Sequence, residues 1–318
     1  MGKAIIRLII CLPVLVLLAC KGQKLPEQPE LAALTLLLNY ETDMTIWHHQ
    51  LDDSGLKGQE VGGTYDNIQE HGLVRYIIRA FPADEPKSSM QEFTFTKAIS
   101  GGYNHEVNVE LPVGEYEIMI WSDLAEKSDD SSFYNTDDFS EIRLKGHHEG
   151  CNDYRDAFRG RITAEISAGD NSASVIMERP MAKYEFITTD LKKVDNLEDY
   201  KVVLYYSGFM PSAYSFDTDK PVDSSTGVSF ECRPKVLNDD EASLGFDYVL
   251  VNGKDAGVSV IVAIFDSNGK QVSLSSPVDI PLRRNHHTTI KGSFLLQKSQ
   301  ESIKIDPGFD GSHNVIID

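Results

Sequence analysis

Apolar and polar residues alternate over short runs along most of this chain, and each run stops at proline, glycine or a polar turn. Leu73 to Phe81 alternates and ends at Pro82, Glu92 to Thr96 alternates, and His105 to Leu111 has a clean period of two. Pro112-Val113-Gly114 predicts a turn, because proline presets φ and glycine accepts a positive one, and Tyr116 to Trp121 follows as a central strand. Arg161 to Ile166 and Ser174 to Met177 come next. After Arg179-Pro180-Met181 the pattern begins afresh with Lys183 to Thr188, Lys201 to Tyr206, Gly227 to Cys232, Gly245 to Val251 and Gly257 to Phe265. Asp266-Ser267-Asn268-Gly269 carries the Asn-Gly hairpin signal into Gln271 to Leu274, and His287 to Leu295 is the last long strand. Leu31 to Tyr40 is largely apolar, and Thr35 with partial alternation favours strand over helix. Glu41 to Gly72 reads as loop-rich, and no long helical period occurs anywhere. The expectation is all-β, with two sandwich domains in tandem, residues 31–179 and 180–318.

The first residues follow a different rule. Lys3 and Arg7 precede an apolar run from Ile5 to Leu18, which closes on Leu17-Leu18-Ala19-Cys20. A basic start, a short apolar stretch and a small residue before the cleavage point make a secretory signal. The run is too short to cross a bilayer as a helix, which takes about 20 residues. With cysteine after Ala19, the stretch resembles the lipobox of bacterial lipoproteins. That resemblance implies removal of residues 1–19, acylation (palmitate and related chains) of Cys20, and a mature chain that begins there. Residues 20–30, which include KGQKLPEQPE, read as a polar tether that lifts the body off the membrane.

The 318 residues suit one to three domains, and 41% hydrophobic content is enough for real cores. The net charge is −19, and loss of Lys3 and Arg7 with the signal makes the body more negative still. Such a surface repels nucleic acid and anionic headgroups, so lipid rather than the protein face must hold it to a membrane. One acyl chain anchors marginally and several hold firmly. Of four cysteines, Cys11 falls in the signal and Cys20 at the lipid site. Cys151 and Cys232 are far apart and read as two separate thiols, although an oxidising compartment would let them pair.

Residues 122–154 form an acidic insertion, with Asp123, Glu126, Asp129, Asp130, Asp137, Asp138, Glu141, Glu149 and Asp153 set among Ser and Asn. It reads as a solvated loop. Asp129, Asp130, Asp137 and Asp138 are candidate calcium ligands, but calcium takes six to eight oxygens and no EF-hand spacing is present. His147, Glu149 and Cys151 are a candidate zinc set. The pairs His48-His49, His147-His148 and His286-His287 suit a shared metal poorly, since neighbours on a strand face opposite ways. There is no Gly-x-Ser-x-Gly elbow, His-Glu-x-x-His or Walker loop, so no catalytic set is assigned and no cofactor is expected. Tyr205, Tyr206, Phe209, Tyr214 and Phe216 cluster, and Tyr214 and Phe216 are candidate sugar-stacking contacts against a packed alternative.

Leu111-Pro112-Val113-Gly114-Glu115-Tyr116 resembles the strand-turn-strand motif of transthyretin-like sandwiches. Further motifs are Tyr134-Asn135-Thr136, Arg155-Asp156-Ala157-Phe158, Arg179 to Phe186, Gly208 to Ala213, Ile280 to His286 and Ile305 to Gly311. With these, most of the mature chain resembles the Bacteroidales fimbrillin-related lipoproteins, which include the fimbrial anchor subunits. The resemblance implies two transthyretin-like Greek-key β-sandwich domains in tandem. It also implies an anchor or accessory subunit of a type V pilus, lipid-anchored in the outer membrane and exposed at the surface, taking part in adhesion. Its partners would be other pilus subunits, joined by strand addition, and host or bacterial surface glycans or proteins. Stalk subunits of that family lose their first strand to an arginine-specific protease. This chain has no arginine between Cys20 and Arg75, which implies that lipid and first strand stay attached. The alternative is a stand-alone glycan-binding outer-membrane lipoprotein.

Overall fold

In a computed structural model of the chain, the described residues are 30–67, 69–100, 103, 105–128, 131–194, 196–253 and 256–295. They form two β-sandwiches, and the chain passes between them more than once. It enters the first sandwich with β1 (Leu31–Tyr40) and crosses to the second for the hairpin β2 (Asp43–Asp52) and β3 (Gly55–Asp66). It returns to the first for β4 (Leu73–Pro82), β5 (Gln91–Ala98), β6 (His105–Pro112) and β7 (Gly114–Ala125). Two short strands, β8 (Tyr134–Asn135) and β9 (Ile142–Leu144), lie at the junction before β10 (Ala157–Ile166) and β11 (Asp170–Met177) complete the first sandwich.

The rest builds on the second: β12 (Met181–Thr188), β13 (Lys201–Tyr206), β14 (Met210–Ser215), β15 (Lys220–Ser225), β16 (Ser229–Cys232) and β17 (Lys235–Val236). β18 (Ala242–Leu250), β19 (Ala256–Phe265), β20 (Gln271–Leu274), β21 (Val278–Leu282) and β22 (His286–Gly292) follow. The first sandwich packs a sheet ordered β11-β1-β6 on one ordered β10-β7-β4-β5. The second packs β17-β18-β12-β22-β2-β3 on β16-β13-β19-β20, with β21 also paired to β19.

Alternation explains the first core. Val107, Val109 and Leu111 of β6 point inward with Leu34, Leu36 and Leu38 of β1 and meet Tyr76, Ile78, Ile118 and Ile120 of the facing sheet. Pro112-Val113-Gly114 is where the chain steps from one sheet to the other. The Asn-Gly turn also forms as the sequence indicates: Gly269 has φ +77° and its N–H bonds the Asp266 carbonyl at 2.9 Å, joining β19 to β20.

Four expectations need correction. Residues 41–72 are not mainly loop, because β2 and β3 add two strands to the second sandwich, β2 lying parallel to β22 with Thr45 opposite His286 and Gln50 opposite Lys291. A single boundary at Pro180 therefore does not separate the two bodies. The acidic insertion is not a free loop. β8 and β9 pair with β14 and β15 in a separate sheet ordered β15-β14-β9-β8. Tyr134, Phe139 and Ile142 are buried there with Ile77, Met119 and Trp121 of the first sandwich and Met181, Tyr214, Phe216, Tyr248 and Leu250 of the second half. The two sandwiches thus share a third apolar core. Cys151 and Cys232 are not separate thiols but a disulfide with Cα atoms 5.9 Å apart.

Candidate functional site

The anchoring element is β1. It runs antiparallel to β6, Leu31 opposite Pro112 through Leu38 opposite His105, and parallel to β11, Ala33 opposite Asp170 through Tyr40 opposite Met177. It therefore has ladder partners on both sides, while Leu34, Leu36 and Leu38 are at most 1% exposed. Its outer face is tied by Thr35 Oγ1 to Asn108 Oδ1 at 2.8 Å and Asn39 Nδ2 to Ser174 Oγ at 2.8 Å. Its last residue, Tyr40, donates to Ser122 Oγ at 2.6 Å and meets Phe158 edge-on with ring centres 4.9 Å apart.

Directly after β1 the chain crosses between sandwiches, and a buried arginine holds the crossing. Arg179 donates to the carbonyls of Glu41 at 3.3 Å and Thr42 at 3.1 Å. It also bonds both oxygens of Asp156, at 2.7 and 2.8 Å, and the Asn285 side-chain oxygen. Burial opposes the Arg179 charge, but the Asp156 carboxylate more than offsets this and raises its pKa above the ordinary guanidinium value. Its guanidinium lies 4.6 Å from the centre of the Phe158 ring.

A second network sits beside it. Arg155 bonds the buried carboxylate of Asp247 and donates to the Glu149 carbonyl at 3.0 Å. Asp247 also accepts from Tyr206 at 2.6 Å and faces His148 Nε2 at 2.6 Å. Burial pushes the Asp247 carboxyl up, but Arg155 and His148 overcome it and hold the pKa below the ordinary carboxylate value. Lys183 reaches Asp153 at 2.7 Å over the Phe246 ring, 4.2 Å from its centre. Asp123 takes a two-pronged bond from Arg75 at 2.9 and 2.6 Å, yet burial still raises its pKa. Asp123, Asp153 and Asp156, read from the sequence as solvated acids or left without a role, are therefore partners for cations from distant strands.

Cys20, Asp129 and Asp130 lie outside the described residues. Asp137 and Asp138 are exposed and engaged locally: the Asp137 carbonyl accepts from Arg79 at 2.8 Å, and Asp138 Oδ1 caps the Ser140 N–H at 2.8 Å. Among the described residues no three His, Cys, Asp or Glu side chains are placed to hold a metal ion. Cys151 is spent in its disulfide, which removes it from the candidate zinc set. Tyr214 and Phe216 are buried, with Phe216 stacked on Phe139 at 4.8 Å, so neither offers a ring to a sugar. Tyr214 belongs to the junction sheet itself, and both rings are buried in the apolar core that sheet shares with Trp121 and Phe139. The ring left outside is Phe209, 73% exposed. Sequence reasoning missed the salt-bridge networks, although Arg155-Asp156 and Arg179-Pro180 were the conspicuous polar motifs in otherwise apolar surroundings.

These features define a class: an all-β protein of two interlocked sandwiches whose first strand is held between neighbours and whose junction is closed by buried ion pairs. The chain belongs to the family of unknown function DUF6562, whose model matches residues 29–318. No curated protein matches it. Solved structures similar to it include a candidate polysaccharide-binding protein (DUF1812) from Bacteroides thetaiotaomicron, 14% identical with a TM-score of 0.43, covering 76% of this chain and 79% of that one. The fimbrial anchor protein Mfa2 from Porphyromonas gingivalis is 13% identical with a TM-score of 0.39, covering 77% and 82%. The tip fimbrial protein Mfa3 from the same organism, truncated at its C-terminus, is 11% identical with a TM-score of 0.39, covering 79% and 81%. Its structural neighbours are thus fimbrial and adhesin-type proteins. Among the described residues no helix is long and apolar enough to cross a membrane.

Proposed function

We propose that this chain is a cell-surface lipoprotein of the fimbrillin type, held in the outer membrane through acylated Cys20 and acting as an anchor or accessory subunit of a type V pilus. The observation that carries the reading is the continuity from Cys20 to the core. Ten mostly polar residues separate Cys20 from β1, and no arginine lies between Cys20 and Arg75 for an arginine-specific protease to cut. β1 itself fills the centre of its sheet, with Leu34, Leu36 and Leu38 in the core. A pull on the lipid end is transmitted along β1. Because β1 is paired on both sides, that pull loads many ladder hydrogen bonds together rather than one after another. The arginine lock at Glu41 and Thr42 passes the load on to the second sandwich.

Association with a neighbouring subunit would use strand addition at a sheet edge, with main-chain hydrogen bonds for affinity and alternate side chains for specificity. A pull-down from native outer membranes tests this reading. The account expects the chain to bring down pilus subunits, and its deletion to release or lengthen fibres. A pull-down without pilus subunits, together with unchanged fibres after deletion, removes the pilus role.

A further inference from the structure

The second sandwich is open along one side, where β2 and β3 of one sheet face β19 and β21 of the other. A cleft of about 960 Å³ lies there, lined by His49, Leu56, Phe209, Ser259, Asp279 and Ile280 among others. Three features of its lining bear on what it could hold. First, Phe209 stands at its wall with its ring 73% exposed, while nearly every other ring of this half is buried or half-buried. It sets an accessible aromatic face beside the cleft, of the kind on which a sugar ring can stack.

Second, His49 is only 8% exposed, and its Nε2 has no hydrogen-bond partner. A buried polar atom without a partner carries a penalty that a ligand atom would relieve. The ring bonds the Gly58 backbone, which supports the charged form, but burial is the larger effect and lowers the His49 pKa. Burial thus favours the neutral ring. With its proton directed to the backbone carbonyl, Nε2 is left as an acceptor. Third, the side chain of Asp279 is exposed at the same cleft and adds a second acceptor.

We propose that this cleft binds a neutral saccharide, one ring face stacked on Phe209 and a hydroxyl donating to His49 Nε2, with Asp279 taking a second hydroxyl. Acceptors select a ligand rich in hydroxyl donors. An exposed aromatic face selects one with an apolar C–H surface. The acidic body, −19 overall, disfavours uronic or sulfated polymers. An added peptide strand fits less well, since Pro277 precedes β21 and Pro281 lies within it, and proline withholds the N–H that a new ladder needs. The site needs neither the lipid nor a pilus, so it stands or falls separately from the anchor reading.

The test is native affinity electrophoresis of the full chain in detergent, in gels cast with dextran, yeast mannan, xylan or barley β-glucan. The account expects retardation by at least one polymer, its loss in Phe209→Ala, and about fivefold weaker retardation in His49→Gln, the value of one hydrogen bond. Phe209→Ala removes an exposed ring and is expected to keep the wild-type melting temperature, checked on the same sample, so that its loss of retardation reports the site and not unfolding. No retardation by any of the four polymers overturns the proposal. So does retardation that persists unchanged in Phe209→Ala, or a peptide found bound along β21.

Discussion

Arg179 grips Asp156 through two parallel hydrogen bonds, Nε to Oδ1 at 2.7 Å and Nη2 to Oδ2 at 2.8 Å, and both side chains are fully buried. Arg179 ends the first half of the chain, and Asp156 lies just beyond the acidic insertion. Their pairing fixes the β1–β2 crossing and the Asn285 turn at one point. A buried pair of this kind is costly to break on one side, because the remaining charge has no water to turn to.

Arg179→Met is therefore expected to destabilise the protein by about 3–5 kcal/mol. Adding Asp156→Leu should recover part of that loss, since no charge is then left unpaired. Denaturant unfolding of the single and double variants measures both. A single variant within about 0.5 kcal/mol of wild type, the range of ordinary surface changes, would show that the lock carries no load.

β1 offers a side-by-side comparison within one strand. Leu36 is fully buried and Leu37 is 37% exposed. Leu36→Ala is expected to cost about 2–5 kcal/mol, and Leu37→Ala no more than about 0.5 kcal/mol. Equal effects in thermal unfolding would mean that β1 does not alternate between core and solvent.

The disulfide closes a long loop, joining residues 81 apart in sequence. Cys151→Ser with Cys232→Ser is expected to lower stability by about 2–4 kcal/mol. Under denaturing, non-reducing conditions neither cysteine should react with iodoacetamide, and peptide mass mapping reads this directly. Gly245 belongs to the same arrangement. A Cβ there would lie 2.6 Å from Cys232 Sγ, so Gly245→Ala should destabilise the oxidised protein more than the reduced one.

Stability should fall as pH drops from about 7 toward 5. Burial lowers the His287 pKa and Lys183 lowers it further, while Glu185 and Asp153 oppose them. The folded value thus lies below the unfolded one, about 6.5. The unfolded chain then binds the extra proton first, so stability is complete above the unfolded pKa and is lost as pH falls toward the folded one. His49 and His105 are also lowered, mainly by burial, and act in the same direction. Urea midpoints across this range should decline, and His287→Gln should flatten the slope. A midpoint that rises on acidification through this window would contradict the assignment.

Much of this fold was legible because alternation is a local property. β6 and β19 could be read from their own residues, and the Asn268-Gly269 turn from its φ requirement. Alternation says which face of a strand is buried but not which sheet it joins, so nothing in β2 or β3 announced a place beside β22. Gly58, Gly62 and Gly63 further blurred the hairpin into apparent loop. The acidic insertion misled for a related reason. Asp123, Asp153 and Asp156 look solvated until Arg75, Lys183 and Arg179 arrive from elsewhere in the chain. The cysteine pair depends on a contact between residue 151 and β18, which spacing does not encode: the Cys151 N–H bonds the Phe246 carbonyl at 2.9 Å. The aromatic cluster was visible, but which of its rings faces water was decided by the third apolar core, which takes in Tyr214 and Phe216 and leaves Phe209 outside.

The central claim is that one uncut chain runs from a lipid to the middle of a sheet. Mass spectrometry of the N-terminal peptide from protein extracted out of native membranes tests it most directly. The account predicts an acyl-modified Cys20 continuous with Leu31 and the rest of β1. An unmodified start, or a first residue beyond Tyr40, would contradict it.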